Sequence, residues 1–214
     1  MREVFHQSLE DLQNRLVEIA DLVTVSIDKA TRAFATSDVA LAEEVIADDA
    51  KIDELAVALD EQAIEILARQ QPVASDLRLM VGALRMSASL ERMADLAQHI
   101  AQLARYRYPE SAIPQGLRKT FAKMGEIDAI MASKLVALLR DQDQSLIDEI
   151  RDLDDDLDEL HAKVFEKVLS EKVQVAGPTG VVDATLASRY HERFGDHAVN
   201  ITKQMNFFLS GALQ

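Results

Sequence analysis

Glu91-Arg92-Met93-Ala94-Asp95 recurs near the C-terminus as Glu192-Arg193-Phe194-Gly195-Asp196, and the agreement runs on through Ala97 with Ala198 and Ile100 with Ile201. One segment upstream, Asp49 and Asp53-Glu54-Leu55 recur as Asp154 and Asp158-Glu159-Leu160. A repeat on this scale marks a duplicated supersecondary unit, and the unit here is half of the chain. In each copy, acidic residues stand at i and i+4, a spacing that on a helix puts both on one face.

The surrounding residues read as helix throughout. Leu9, Leu12, Leu16, Ile19, Val23, Ile27, Ala30 and Phe34 form a run at spacings of three and four, the signature of an amphipathic helix. It breaks at Thr36-Ser37-Asp38, whose short polar side chains suit the cap of a second helix. That helix carries Leu41, Val45, Ile52, Leu55, Leu59 and Ile66 and stops before Pro72; a third continues through Met80, Leu84, Met93, Ile100 and Leu103. Residues 108–116, with two of the four prolines, read as a linker. Three further helices follow, broken near Arg140-Asp141-Gln142-Asp143 and near Ala176-Gly177-Pro178-Thr179-Gly180. The expectation is an all-α fold of two tandem three-helix bundles related by internal duplication, the first over residues 1–107 and the second over 117–214. Gly82, Gly125 and Gly195 stand alone within helices and are read as points of close helix packing.

Hairpin arithmetic brings the acidic pairs together. In two antiparallel helices, residues equidistant from the turn lie at one height. Asp49 with Asp95, and Asp53 with Glu91, centre on Pro72; Asp154 with Asp196, and Asp158 with Glu192, centre on Val175. Each hairpin can therefore bring four carboxylates to one level, and four converging carboxylates repel unless something positive sits among them. Hard or borderline cations such as Mg²⁺, Mn²⁺, Fe or Zn²⁺ accept such oxygens. The candidate metal ligands are thus Asp49, Asp53, Glu91 and Asp95 in the first half, and Asp154, Asp158, Glu192 and Asp196 in the second. Arg92 and Arg193 point about 100° away from the preceding Glu and read as outer or inter-helix partners. His99 and its counterpart Asn200, one turn beyond each Asp, are candidates to add or orient a ligand. His191 and His197 flank the second motif, and His161 reads as polar surface. The competing reading is a pair of acidic faces neutralised by Arg, Lys and solvent.

Composition narrows the class. A formal charge of −14, from 37 acidic and 23 basic residues, argues against nucleic-acid binding, which needs clustered Lys and Arg. The absence of Cys excludes disulfides and thiolate ligands. No segment approaches ~18 uninterrupted apolar residues, so no membrane span is expected. The N-terminus, Met1-Arg2-Glu3-Val4-Phe5-His6, lacks the apolar core of a secretory signal. A cytoplasmic protein is the expectation.

Two tandem three-helix bundles, each with an acidic Glu-Arg-x-x-Asp helix, resemble the PhoU family. Ala68-Arg69-Gln70-Gln71-Pro72-Val73-Ala74-Ser75-Asp76-Leu77-Arg78 is similar to the family's turn between its second and third helices. Arg189-Tyr190-His191-Glu192-Arg193-Phe194-Gly195-Asp196-His197-Ala198-Val199-Asn200-Ile201 is similar to its C-terminal signature. The resemblance implies a cytoplasmic, typically homodimeric regulator, peripheral at the inner face of the cell membrane through its partners. Those partners would be the ATPase subunit of the phosphate ABC transporter and a sensor histidine kinase. It implies repression of the phosphate-starvation response and restraint of phosphate uptake when phosphate is plentiful, with no enzymatic activity. It also implies metal ions or multinuclear clusters on the Glu/Asp-x-x-x-Asp motifs, which map onto the same eight carboxylates. One departure stands out: Leu96-Ala97-Gln98-His99 in the first half against His197-Ala198-Val199-Asn200 in the second, so the two sites need not match in ligands or metal.

Two other readings compete. A carboxylate-bridged di-metal oxidase would place Glu-x-x-His motifs on two helices, and none occurs among the candidate ligands; the one Asp-x-x-His, Asp158 to His161, is unrepeated. A metal-free helical adaptor would use the acidic faces to dock on basic partner surfaces.

Overall fold

A computed structural model describes residues 2–70, 72, 75–169 and 177–210. Gln71, Val73 and Ala74 of the family-like turn, and the turn around Val175, lie outside the described residues. The helices are α1 (Arg2–Thr36), α2 (Val39–Gln70), α3 (Ser75–Arg107), α4 (Arg118–Asp141), α5 (Ser145–Val168) and α6 (Gly177–Ser210), with a 3-10 turn at Gln115–Leu117 before α4.

The breaks fall where short polar residues take over from the periodic apolar ones. Ser37 adopts a φ of 59° and ends α1, and the Asp38 carboxylate accepts from the Leu41 N–H at 3.0 Å to cap α2. Gln142, with φ 57°, ends α4 and returns its N–H to the Leu138 carbonyl at 3.0 Å. Asp143 then accepts from both the N–H and the hydroxyl of Ser145, at 3.0 and 2.7 Å, and opens α5.

Each half is a three-helix bundle, α1–α3 and α4–α6, but the halves do not hang as separate beads. α3 packs on α6 as extensively as on either helix of its own bundle, and α1 packs on α4. The two cores merge into one apolar cluster running from Leu12, Ile19 and Phe34 through Met93 to Phe194 and Ile201. α3 and α6 run antiparallel, with Arg85 reaching Gln204 at 3.4 Å and His99 against Tyr190 at 5.1 Å between rings. α1 and α4 do the same, through Asp21 with Arg140 at 3.1 Å and Phe34 edge-on to Phe121 at 5.3 Å. Helices α1, α3, α6 and α4 thus ring the centre, with α2 laid against one side and α5 against the other. The α2/α3 and α5/α6 grooves consequently open on the same face of the molecule.

The residues joining the halves are held down. Ala112, Ile113 and Leu117 are buried. The Arg107 guanidinium, at the end of α3, grips the buried Asp183 carboxylate in α6 through Nε and, at 2.9 Å, Nη2. Of the three glycines, two mark close packing. A Cβ on Gly125 would stand 2.9 Å from that of Thr31 on α1, and one on Gly195 would collide with the Asp154 carboxylate on α5. Gly82 meets only Met86 of its own helix, at 3.9 Å, so no neighbouring helix presses on it.

Candidate metal centre

The four carboxylates of each half do come within electrostatic reach of one another. Asp49 is 7% exposed, at the floor of the α2/α3 groove. Burial, together with the charges of Asp53, Asp95 and Glu91, pushes its carboxyl up to about 6. Asp154, its counterpart in α5, is pushed up to about 7 by burial and then by Asp158, Asp196, Asp155 and Glu192. Glu91 and Glu192 are raised too, mainly by burial, against the opposing pull of Arg92 and Arg189 respectively. Asp53, Asp158 and Asp196 lie exposed at the groove rims. Each site is therefore a surface cleft with one sheltered carboxylate at its base.

Protein donors engage several of these groups. Gln98 donates to Asp49 at 2.5 Å and is itself steadied by Gln102 at 2.9 Å. Arg92 pairs with Asp95 at 2.6 Å, and Arg189 pairs with Glu192. Among the described residues, no three His, Asp or Glu side chains close into a ready-made ligand set. Like charges separate unless something neutralises them, and the arginines do that here for one carboxylate in each quartet.

Two observations bear on whether a metal would fit. Glu192 Oε2 is buried with no hydrogen-bond partner, a costly arrangement that a cation would relieve. Gly195 leaves the space in which the Asp154 carboxylate rests against α6, and a side chain there would fill it. The donor set, eight carboxylates and no thiol, suits hard cations with oxygen ligands. The residues present fit such an ion.

The two clefts differ. The first is continuous with a groove of about 360 Å³ bounded by Asp53, Asp60, Ser87 and Glu91, in which burial raises the Asp60 carboxyl. Phe165 takes the position equivalent to Asp60 in the second half. His99 turns onto Tyr190 in the α3/α6 seam, its Nδ1 buried and unpartnered, and Asn200 is exposed on α6. His197 also faces that seam, where burial, Arg193 and Arg92 lower its basicity against the pull of Asp196 and Asp95.

Sequence reasoning missed three arrangements. His191 is fully buried and bonds Asp128 of α4 at 2.5 Å, leaving Asp128 Oδ1 and His191 Nε2 without partners. Asp128 lies on the apolar stripe of Phe121, Met124 and Met131, and a carboxylate at such a position was the available signal for a buried pair. Arg189 opens the C-terminal signature, and its i, i+3 spacing to Glu192 was the signal for the ion pair it makes. His161 bonds the Ser188 hydroxyl at 2.6 Å. Ser188 is fully buried between α5 and α6, beyond reach of any substrate carbonyl, so the contact is a packing feature.

A family model described as PhoU domain matches residues 16–104 and again residues 121–205. The chain belongs to the PhoU family. Each of the two PhoU matches contains one complete carboxylate quartet. The phosphate-specific transport system accessory protein PhoU homolog 2 of Mycobacterium tuberculosis is 38% identical over 99% of both chains. Homolog 1 of Mycobacterium leprae is 36% identical over 99% of this chain and 95% of its own. The crystal structure of PhoU from Pseudomonas aeruginosa superposes with a TM-score of 0.90 at 27% identity, covering 97% of this chain and all of that one. The likeness thus spans both halves and their relative placement. No helix among the described residues is long and apolar enough to cross a membrane.

Proposed function

We propose that this protein is a cytoplasmic negative regulator of the phosphate-starvation response and of phosphate uptake. It couples the ATPase subunit of a phosphate ABC transporter to a sensor histidine kinase, as a homodimer that sits at the inner face of the membrane through those partners. The observation that carries this reading is the end-to-end similarity to proteins named as accessory to phosphate-specific transport, with both acidic clefts inside the matched regions. The helical architecture suits an adaptor: long rigid helices, one merged core, and two clefts on a common face.

The clefts bind divalent or trivalent metal, Fe, Mn, Zn or Mg. Asp49, Asp53, Glu91 and Asp95 would hold one ion or cluster, and Asp154, Asp158, Glu192 and Asp196 the other. When bound, the metal supplies positive charge that neutralises the cleft and fixes the carboxylates. Arg92 and Arg189, which pair with Asp95 and Glu192, would compete with the ion for those two carboxylates. Gln98 orients Asp49 from the side.

Deletion should leave phosphate-starvation genes expressed in high phosphate, and plasmid-borne wild type should restore repression. Normal repression in the deletion strain, with no second copy in the genome, would refute the regulatory assignment. A metal-free adaptor is the second reading, favoured by the way Arg92, Gln98 and Arg189 already occupy the carboxylates. Metal content by mass spectrometry separates the two. Wild type retaining metal that a folded Glu91→Ala, Asp95→Ala, Glu192→Ala, Asp196→Ala variant loses supports the clefts; no metal in either, after incubation with Mn²⁺, Fe²⁺ or Zn²⁺, supports the adaptor.

A further inference from the structure

The buried Asp128–His191 pair belongs to neither cleft, and the duplication shows that packing alone does not call for it. α1 and α4 both end on a left-handed residue, Ser37 and Gln142, which aligns Val23 with Asp128. Leu16, Ile19 and Ala30 then align with Phe121, Met124 and Leu135, and all six are buried. The repeat of Glu91 as Glu192 likewise aligns Leu90 with His191. In the first half, therefore, these two core positions are filled by Val23 and Leu90, each 1% exposed. The second half puts a carboxyl and an imidazole there and leaves one polar atom of each without a partner among the described residues. Well-packed apolar side chains commonly equal or better such a buried pair in stability.

What a hydrogen bond adds over apolar contact is direction. His191 immediately precedes Glu192, so their side chains leave α6 about 100° apart. With His191 bonded to α4, Glu192 turns toward the α5 side, where it feels Asp158 and Asp196 and its Oε2 is buried without a partner. A roll of α6 by about 10° would carry a side-chain tip ~6 Å from the helix axis through about 1 Å, twice the ~0.5 Å within which a binding group must be held. α6 has a particular need of such a restraint. Gly195 presents no side chain to α5, and the Asp154 carboxylate and Leu157 stand where its Cβ would be. The first half has Ala94, 1% exposed, at that position. Lacking this knob against α5, α6 is held from the α4 side instead, where the Phe121 ring also lies 5.9 Å from that of His191.

We propose that Asp128 is a positioning residue of the second cleft: by bonding His191 it fixes the rotation of α6 and so holds Glu192 in place beside Asp154, Asp158 and Asp196. The proposal rests on the metal-binding reading above and adds a residue of α4, outside the quartet, on which the second cleft depends. The first cleft has Val23 and Leu90 at the equivalent positions, so removing the polar pair affects one cleft and not the other.

Two full-length parents read the clefts separately: Glu91→Ala with Asp95→Ala leaves the second cleft intact, and Glu192→Ala with Asp196→Ala leaves the first. Mn²⁺ affinity is measured in each by chelator competition, and the melting temperature is measured without metal. Into both goes the first half's apolar pair, Asp128→Val with His191→Leu. In the second-cleft parent this swap should weaken Mn²⁺ binding about tenfold while the protein melts no lower than its parent. In the first-cleft parent Mn²⁺ affinity should stay within about twofold. Asp128→Asn, which keeps an acceptor for His191, should retain most of the second cleft's affinity. Mn²⁺ binding in both parents that ignores the swap would overturn the positioning role and leave the metal reading intact. Equal weakening of both clefts, or weakening accompanied by a lower melting temperature, would also overturn it, because the pair would then be holding the fold and not the site. No Mn²⁺ bound by either parent would overturn the metal reading and this proposal with it.

Discussion

Replacing Asp154 by Asn should stabilise the metal-free protein, and by an amount that depends on pH. In the native cleft the carboxyl is pushed up to about 7, by burial first and by its neighbouring carboxylates second. In the unfolded chain it titrates near its ordinary value of 3.8. The folded form therefore holds its proton more tightly, and stability is present in full below pH 3.8 and lost as pH rises through 7. A tenfold change in proton affinity is worth ~1.4 kcal/mol, so a fully sheltered carboxyl in this position would cost ~4 kcal/mol when ionised. Asp154 is half-buried, and solvent screening reduces the cost to about 2 kcal/mol above pH 7, about 1 kcal/mol at pH 5, and nothing below pH 4. Asn keeps the shape and removes the charge. In chelator-treated protein, Asp154→Asn should melt ~4–8 °C above wild type at pH 8, with the gap closing steadily toward pH 4. Added Mn²⁺ or Zn²⁺ should raise the melting temperature of wild type more than that of the variant, which keeps all four carboxylates only in its first cleft. An Asn variant no more stable than wild type at pH 8, or a difference that ignores pH, would refute the electrostatic account of the cleft.

Three further outcomes can be checked alongside it. Asp128→Ala strands His191 in the core with neither ring nitrogen partnered; the expected cost is about 3–5 kcal/mol in urea unfolding, with Asp128→Asn milder. Gly125→Ala places a methyl 2.9 Å from the Thr31 Cβ, and the overpacking, about 1–3 kcal/mol, should outweigh the ~1 kcal/mol gained in helix propensity. Adding Thr31→Ala removes the Cγ2 and Oγ1 contacts at 3.1 and 3.4 Å but keeps the Cβ, so it should recover part of the loss; no recovery at all would mean that the strain lies elsewhere. Removing Glu91 and Asp95 alone should lower metal content while leaving the second cleft loaded, and removing Glu192 and Asp196 alone should do the converse.

Much of this molecule was legible before any coordinate. The helices follow from local periodicity, and their ends from Ser37, Asp38, Gln142 and Asp143, whose side-chain and backbone preferences act over a few residues. The duplication is visible as a repeated string. Hairpin arithmetic could level Asp49 with Asp95 and Asp154 with Asp196 because a helix has a fixed rise per residue. Once the turn is located, height is not free to vary.

What the sequence determined by itself is the class, an all-helical duplicated bundle, and the membership of each carboxylate quartet. Which faces turn toward one another was decided only by tertiary packing. His99 goes to Tyr190 rather than to its neighbouring Asp95, and His191 goes to Asp128, because the α3/α6 and α4/α6 seams exist only once the two halves have merged their cores. The Arg92–Asp95 and Arg189–Glu192 pairs, by contrast, are i, i+3 contacts within one helix, and their spacing is legible in the sequence. Rise and periodicity are properties of one segment; the rotation of a helix about its own axis is fixed by burial against others, and no single segment contains that information.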